Sequence, residues 1–121
     1  MKKEILKGDI FYADLSTTLN CESGGVRPVL IVQSNNGNKY APTTIVCAIT
    51  SQINTAKLPI HVKLNADDIN NLKKDSVLLA EQIRTINKER LQDYIGHLDD
   101  RTMLEVRKAI FTSFGEEDCL K

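Results

Sequence analysis

The sequence predicts a mainly β domain with a C-terminal helix, arranged as a small antiparallel barrel or half-barrel against which the helix packs. Apolar runs of strand length, bounded by turn residues, recur from residue 9 to residue 82. After residue 99 the apolar spacing changes to a helical period. No helix-length segment separates the early strands, as a parallel sheet would require. The length of 121 residues suits one domain, which we place at residues 1–115, followed by a polar tail at 116–121.

The composition is that of a globular protein without excess charge. Lys and Arg total 16, as do Asp and Glu, so the formal net charge is zero. Proteins that bind nucleic acid through bulk charge have a basic excess, so any such binding here must come from a local site. The three cysteines are widely spaced and form no metal-binding pattern, which predicts reduced thiols, no metal and no disulfide framework. No run of about 18 apolar residues is present, and we expect a soluble, cytoplasmic protein.

Five strands are predicted, at residues 9–15, 28–33, 43–50, 58–64 and 76–82. The second and third are nearly continuous apolar runs, which is typical of strands buried on both faces. The fourth alternates apolar and polar residues, which indicates a half-exposed strand. Between the second and third strands, Asn36-Gly37 predicts a hairpin turn. The ten polar or small residues at 16–25 form a loop longer than hairpins need, which is typical of functional loops.

A long helix is predicted to begin at a cap on Asp99 or Asp100 and to stop at Gly115. One helical stripe is predicted to pack on the core, and it consists of Met103, Val106, Ile110 and Phe114. Leu104 and Phe111 lie on adjoining phases and are predicted to serve a dimer contact. A shorter helical piece is predicted at residues 88–94.

One pair of residues stands out at the predicted second hairpin. In a register symmetric about residues 38 and 39, Arg27 lies opposite Thr50, with Cβ atoms about 5 Å apart. Arg27 precedes Pro28, which favours extended backbone. Gly24 and Gly25 leave room for a ligand beside it. The forked guanidinium suits a phosphate or carboxylate, so this position predicts an anion site; the alternative is an arginine in a surface salt bridge.

The other chemically active side chains are scattered. His61 lies mid-strand and His97 lies before the long helix, and no sequence argument brings the two together, so both are interpreted as structural. Cys47 lies in an apolar run and is predicted to be core. Cys21 is interpreted as an ordinary small side chain, with a redox or base-reading role as the open alternative.

Short motifs occur in order along most of the chain. They are Gly8-Asp9-Ile10, Ala13-Asp14-Leu15, Gly24-Gly25-Val26-Arg27-Pro28-Val29-Leu30, Ile45-Val46 followed by Thr50, Ala56-Lys57-Leu58-Pro59, His61-Val62, Asp75-Ser76-Val77, Glu81-Gln82-Ile83-Arg84-Thr85-Ile86 and Leu98-Asp99-Asp100. Together, over about residues 4–112, they resemble the MazF/PemK/Kid family of toxin endoribonucleases, in particular the MazF proteins of Gram-positive bacteria.

The resemblance implies an SH3-like barrel of the CcdB/PemK toxin type that works as a homodimer in a type II toxin–antitoxin system. It implies sequence-specific cleavage of single-stranded RNA, such as mRNA, without a metal or other cofactor, and inhibition by a MazE-like antitoxin. Arg27 and Thr50 match the family's catalytic residues. The residues implied in RNA binding are Glu22, Ser23, Lys57, Leu58, Glu81 and Gln82. Where close relatives have a Gly-Ser-Glu-Gln run, this chain has Asn20-Cys21-Glu22-Ser23, so a relative's target sequence does not carry over.

The implied chemistry suits the pair. RNA supplies its own nucleophile, the 2′-hydroxyl, and attack on the adjacent phosphate gives a 2′,3′-cyclic phosphate and a 5′-hydroxyl. Arg27 is assigned to stabilising charge on the phosphorane oxygens, because its pKa above about 12 makes it a poor base; proton donation to the leaving 5′-oxygen is the weaker alternative. Thr50 is assigned a hydrogen bond to a phosphate oxygen, and no general base is identified. Two alternatives are a CcdB-like barrel that binds a topoisomerase or another protein without catalysis, and a purely structural interaction domain.

Overall fold

The structure, a computed structural model, describes residues 3–16, 25–52 and 58–116. These residues form one antiparallel sheet and two helices. The elements are β1 (Asp9–Asp14), β2 (Val26–Ile31), α1 (Asn35–Tyr40), β3 (Thr43–Thr50), β4 (His61–Leu64), β5 (Ser76–Asn87), β6 (Leu91–His97) and α2 (Asp100–Phe114). The six strands have the spatial order β4-β5-β3-β2-β1-β6. The predicted mainly β class with a C-terminal helix is therefore confirmed.

The sheet carries a hydrophobic cluster on each face. Along β2, Leu30 belongs to one cluster, while Val29 and Ile31 belong to the other, as the alternation of side chains in a strand requires. Val106 and Ala109 of α2 complete the first cluster. Burial on both faces explains the nearly continuous apolar runs in the sequence.

The two edge strands approach each other. Leu64 of β4 and Leu98, just beyond β6, line the same small cavity of about 190 Å³. The N–H of His97 donates to the carbonyl of Ile69 in the β4–β5 connection (3.1 Å). The sheet is therefore curved so that one loop bridges its edges, in keeping with the small barrel that the sequence predicts.

The predicted Asn36-Gly37 hairpin turn was wrong, because the short helix α1 occupies this connection. The hydroxyl of Ser34 accepts from the N–H of Gly37 at the start of the helix (3.2 Å). Asn38 is buried, and its side-chain oxygen accepts from the hydroxyl of Thr44 (2.7 Å). A polar side chain held inside the fold stabilises a helical turn here, and a two-residue turn has no place for it.

Other predictions beyond β3 were also wrong, and β5 runs to Asn87 instead of ending at residue 82. Only Lys88–Arg90 is helical in the segment predicted as helix at 88–94, and residues from Leu91 onward form β6. Pairing with the open edge of β1 and burial of Leu91 override the local helical pattern. The fourth strand begins at His61 instead of residue 58, because the N–H of His61 closes a turn onto the carbonyl of Leu58 (2.9 Å).

The ends of α2 agree with the sequence. The carboxylate of Asp99 accepts from the N–H of Thr102 (2.8 Å), and Gly115 ends the helix with a left-handed φ of +76°. Met103 and Ile110 pack against the core with buried Val106. The prediction was wrong for Phe114, which is 55% exposed, since it lies in the last turn, where the helix has left the core.

Candidate catalytic cleft

A cleft of about 440 Å³ lies where β2 begins and β3 ends. Arg27 and Thr50 both line it. The β4–β5 connection supplies another wall through Leu72, Lys73 and Lys74. Two cationic side chains from this connection therefore share a cleft with the predicted catalytic pair.

The register that brings Arg27 towards Thr50 is the predicted one. The pairs Val29–Ala48, Leu30–Cys47 and Ile31–Val46 all keep it, which confirms the prediction for the ladder. Arg27 and Thr50 lie just beyond the last of these pairs. Pro28 separates Arg27 from the β2–β3 ladder. The sequence predicted Pro28 as the first residue of its strand, but it is the third residue of β2. Because proline has no N–H to donate, the β2–β3 ladder starts only after it, and the cleft opens there.

Arg27 is half-buried at the mouth of the cleft. It pairs with Ala13 of β1, which fixes its backbone. Within the described residues its side chain forms no ion pair, so the surface salt bridge considered from the sequence is not found there. Gly25 has a φ of +92°, which favours glycine, and no described atom lies within 4 Å of where a Cβ would be. Among the described residues, the space beside Gly25, two positions before Arg27, is therefore open.

Thr50 is half-buried and is placed to donate a hydrogen bond. Its backbone pairs with Val77 of β5. Its Oγ1 accepts from the N–H of Gln52 (3.2 Å). The hydroxyl keeps its O–H proton, which it can donate to a ligand oxygen in the cleft.

The electrostatics of the cleft differ from those of the whole chain. The described lining includes three cations, Arg27, Lys73 and Lys74, and no carboxylate. The whole chain has a formal net charge of zero. A concave site with one sign of charge concentrates field and attracts ligands of the opposite sign. The described lining of the cleft therefore suits an anionic ligand, the kind of local site that the composition requires for any nucleic-acid binding.

Of the residues implied in RNA binding, three lie outside the described residues, namely Glu22, Ser23 and Lys57. Leu58 is 46% exposed. Glu81 and Gln82 are exposed on β5, where the ladder to β3 shifts register between Cys47 and Ala48. None of these three described residues lines the cleft that contains Arg27.

The two histidines do not share a site. Nε2 of His61 lies 3.1 Å from a carboxylate oxygen of Glu81, on β4 and β5. Nδ1 of His97 lies 3.3 Å from the hydroxyl of Tyr94 on β6. Neither imidazole lines the cleft that holds Arg27. Their separate partners agree with the interpretation that the two rings do not form an acid–base pair.

The described cysteine does not contribute to the cleft. Cys47 is fully buried, which confirms its prediction as core; burial, assisted by the charge of Glu81, raises the pKa of its thiol to about 12. Cys21 lies outside the described residues.

In the described ranges, no group of three His, Cys, Asp or Glu side chains is arranged to hold a metal ion. No helix among those residues is long and apolar enough to cross a membrane.

Sequence reasoning missed Lys73 and Lys74. They follow a turn-rich stretch and precede β5, and neither motif nor period distinguishes them from solvated surface lysines. Their role in the cleft depends on the path of the β4–β5 connection, which is a tertiary feature.

Comparisons with known proteins agree on one family. The family model described as "PemK-like, MazF-like toxin of type II toxin-antitoxin system" matches residues 6–114. A protein named endoribonuclease EndoA from Bacillus subtilis (strain 168) is 52% identical over 106 residues, 88% of this chain and 90% of that protein. One named endoribonuclease MazF from Staphylococcus saprophyticus is 50% identical over 109 residues, 90% of each chain. A solved mycobacterial endoribonuclease in complex with its cognate antitoxin shares the fold, with a TM-score of 0.76, 24% identity and coverage of 92% of this chain and 95% of that chain.

Proposed function

The chain belongs to the PemK-like, MazF-like family of type II toxin–antitoxin toxins, and we propose that it cleaves single-stranded RNA in the cleft formed by Arg27 and Thr50. Its relatives at about half identity are named endoribonucleases, and they match nearly the whole chain. The observation that carries the site assignment is the meeting of Arg27, Thr50 and two lysines in one cleft without a carboxylate in its described lining.

The proposed chemistry uses the RNA's own 2′-hydroxyl as nucleophile. Its oxygen attacks the adjacent phosphorus, and the bond to the leaving 5′-oxygen breaks. The products are a 2′,3′-cyclic phosphate and a 5′-hydroxyl. Negative charge builds on the non-bridging oxygens in this step, and a preorganised cation stabilises it. Arg27 supplies that cation, while the O–H of Thr50 donates to a phosphate oxygen and helps to hold the phosphate in line.

Sequence specificity is proposed to come from residues around the cleft. Leu58 is an exposed apolar side chain against which a base can lie. Glu81 and Gln82 expose groups that can bond to Watson–Crick edges. Glu22, Ser23 and Lys57 complete this proposed RNA-binding set.

The proposed partners follow from the family. The mycobacterial neighbour was solved with its cognate antitoxin, and we propose a MazE-like antitoxin for this chain.

We further propose a homodimer. In support, Leu104 is 59% exposed and lines an apolar groove of α2 together with Met103, Ile110 and Phe111. A cytoplasmic location follows from the proposed substrate, mRNA.

The comparisons do not favour the alternative of a topoisomerase-binding module. The relatives that match at about 50% identity are named for RNA cleavage. This chain also keeps an arginine and a threonine in one cleft, which a module that only binds protein has no need to keep.

The proposed chemistry is tested by the ends of the products. We expect a 5′-hydroxyl on one fragment and a 2′,3′-cyclic phosphate on the other, measured by mass spectrometry. A single 2′-deoxy substitution at the cut position removes the nucleophile and is expected to abolish that cut alone. A cut that persists at the deoxy position, or a 5′-phosphate product, would contradict the mechanism.

A further inference from the structure

We propose that Lys73 and Lys74 hold the RNA backbone next to the phosphate that is cleaved, as sequence-independent positioning contacts. This inference rests on the proposed function and adds a substrate-backbone site to it. Both lysines line the cleft that contains Arg27 and Thr50. The chemical group that they would bind is a phosphodiester of single-stranded RNA.

The charge of the cleft favours a polyanion. Lys73, Lys74 and Arg27 line it together, and its described lining has no carboxylate. Within the described residues, neither Lys73 nor Lys74 forms an ion pair. Three like charges around one cleft raise the local potential and attract a polyanion. With one phosphate at Arg27, the two lysines are left for the flanking phosphates of an extended strand.

Hydrogen bonds within the β4–β5 connection fix its backbone. The carboxylate of Asp67 accepts from the N–H groups of Ile69 and Asn70, both at 2.8 Å. The side-chain oxygen of Asn70, a buried residue, in turn accepts from the N–H of Leu72 (3.0 Å). Asp75 accepts from the N–H of Ala66 (2.8 Å), which ties the two ends of the connection together. The lysines are therefore attached to an ordered backbone.

The β4–β5 connection is also anchored to the opposite edge of the sheet. Asn71 has a φ of +54°, and its side-chain N–H donates to the carbonyl of Ile95 in β6 (2.9 Å). A Cβ at Gly96 would lie 2.5 Å from the carbonyl oxygen of Ile69, so only glycine permits this approach. A fixed backbone reduces the ordering cost of binding, which is the advantage of preorganised contacts. The fold thus places these two lysines beside Arg27.

Contacts of this kind predict a distinctive signature. Phosphate contacts position a nucleic acid without reading its sequence, so removing them weakens binding to all RNAs alike. Each phosphate contact on a single strand changes the slope of log Kd against log salt by about 0.7. Loss of both lysines is therefore expected to make the slope shallower by about 1.4 and to leave the cleaved sequence unchanged.

The test uses the full chain and a short RNA that carries its mapped cut sequence, with a 2′-deoxy residue at the cut position to prevent cleavage. Binding is measured over a salt series for the wild type, Lys73→Gln/Lys74→Gln and Lys73→Arg/Lys74→Arg. The matched control is Lys39→Gln/Lys108→Gln, which removes two exposed lysines outside the cleft. The same RNA with ribose at every position can be cleaved, and its turnover gives kcat and KM for the same proteins.

The glutamine pair is expected to raise Kd by about two- to thirtyfold at low salt, the range that two exposed ion pairs supply. Its salt slope becomes shallower, its kcat stays within about twofold and the arginine pair restores the slope, while the control keeps wild-type values. A glutamine pair with wild-type Kd and slope would overturn this inference, while loss of cleavage in Arg27→Ala would still support the proposed function. A wild-type protein that neither binds nor cleaves RNA would overturn both.

Discussion

At the scale of single residues, the account depends on two side chains from different strands. Arg27 supplies a fixed positive charge, and Thr50 supplies a hydroxyl whose oxygen already accepts from the N–H of Gln52. The strand ladder brings both to one cleft without any direct bond between them in the described contacts. Each side chain is therefore available to a phosphate.

Thr50→Val tests the hydroxyl without a change of shape. We expect kcat to fall about 10²-fold, because removal of one donor to a developing oxyanion typically costs this much. Thr50→Ser keeps the donor and is expected to retain most of the activity. The measurement is kcat on one RNA under saturating conditions, with the melting temperature as a check on folding. Wild-type turnover by the valine variant would exclude the proposed hydrogen bond.

At the scale of elements, sequence patterns worked where local chemistry decides the outcome. The Asp99 cap, the Gly115 stop and the bounds of β3 were predicted, because a cap, a left-handed residue and a continuous apolar run are local signals. The strand β6 was missed because its pairing partner, β1, is distant in sequence. The short helix α1 was missed because the buried bonds of Asn38 outweigh the Asn-Gly turn signal.

The cap of α2 predicts a pH-dependent stability. Hydrogen bonds from the side chain and the N–H of Thr102 hold the pKa of Asp99 below its ordinary value of 3.8. Because the folded pKa is the lower one, the carboxylate stabilises the fold fully above pH 3.8, and this contribution is lost as pH falls through the folded pKa. Asp99→Ala is expected to lower the melting temperature at neutral pH, by a margin that shrinks below that value. A margin that does not change with pH would show that ionisation of Asp99 is irrelevant.

The anchor of the β4–β5 connection predicts a large effect from a small substitution. In Gly96→Ala, the new Cβ would lie 2.5 Å from the carbonyl oxygen of Ile69 and 2.6 Å from that of Asn70. We expect the free energy of unfolding to fall by about 1–3 kcal/mol, the usual cost of overpacking. Urea denaturation measures it, with Asp93→Ala at an exposed position of β6 as control. Equal stability of the two variants would mean that the β4–β5 connection can shift to accommodate the new methyl group at little cost in free energy.

At the scale of the whole molecule, a protein of zero formal net charge carries a cleft whose described lining is cationic. The sequence predicted Arg27 and Thr50 at this cleft through register and family resemblance together. It could not predict Lys73 and Lys74, because their position depends on how one loop crosses between the two edges of a curved sheet.

The proposed homodimer is a property of this scale as well. We expect the wild-type protein to sediment as a dimer. If the apolar groove of α2 forms the contact, Leu104→Glu places a charge in it and shifts the protein towards the monomer. Glu105→Gln, an exposed change on the same helix, serves as control. A wild-type monomer that still cleaves RNA would contradict the proposal.

The central claim is that Arg27 makes this cleft an RNA-cleaving site. The most direct measurement is cleavage of a long, mixed-sequence single-stranded RNA in EDTA, with ends mapped, by the wild type, Arg27→Ala and the exposed control Arg101→Ala. We predict cuts at one short motif by the wild type and the control, and a loss of at least about 10²–10³ in rate for Arg27→Ala with its fold intact. Near-wild-type cleavage by Arg27→Ala, or no cleavage by the folded wild-type protein free of antitoxin, would contradict the account.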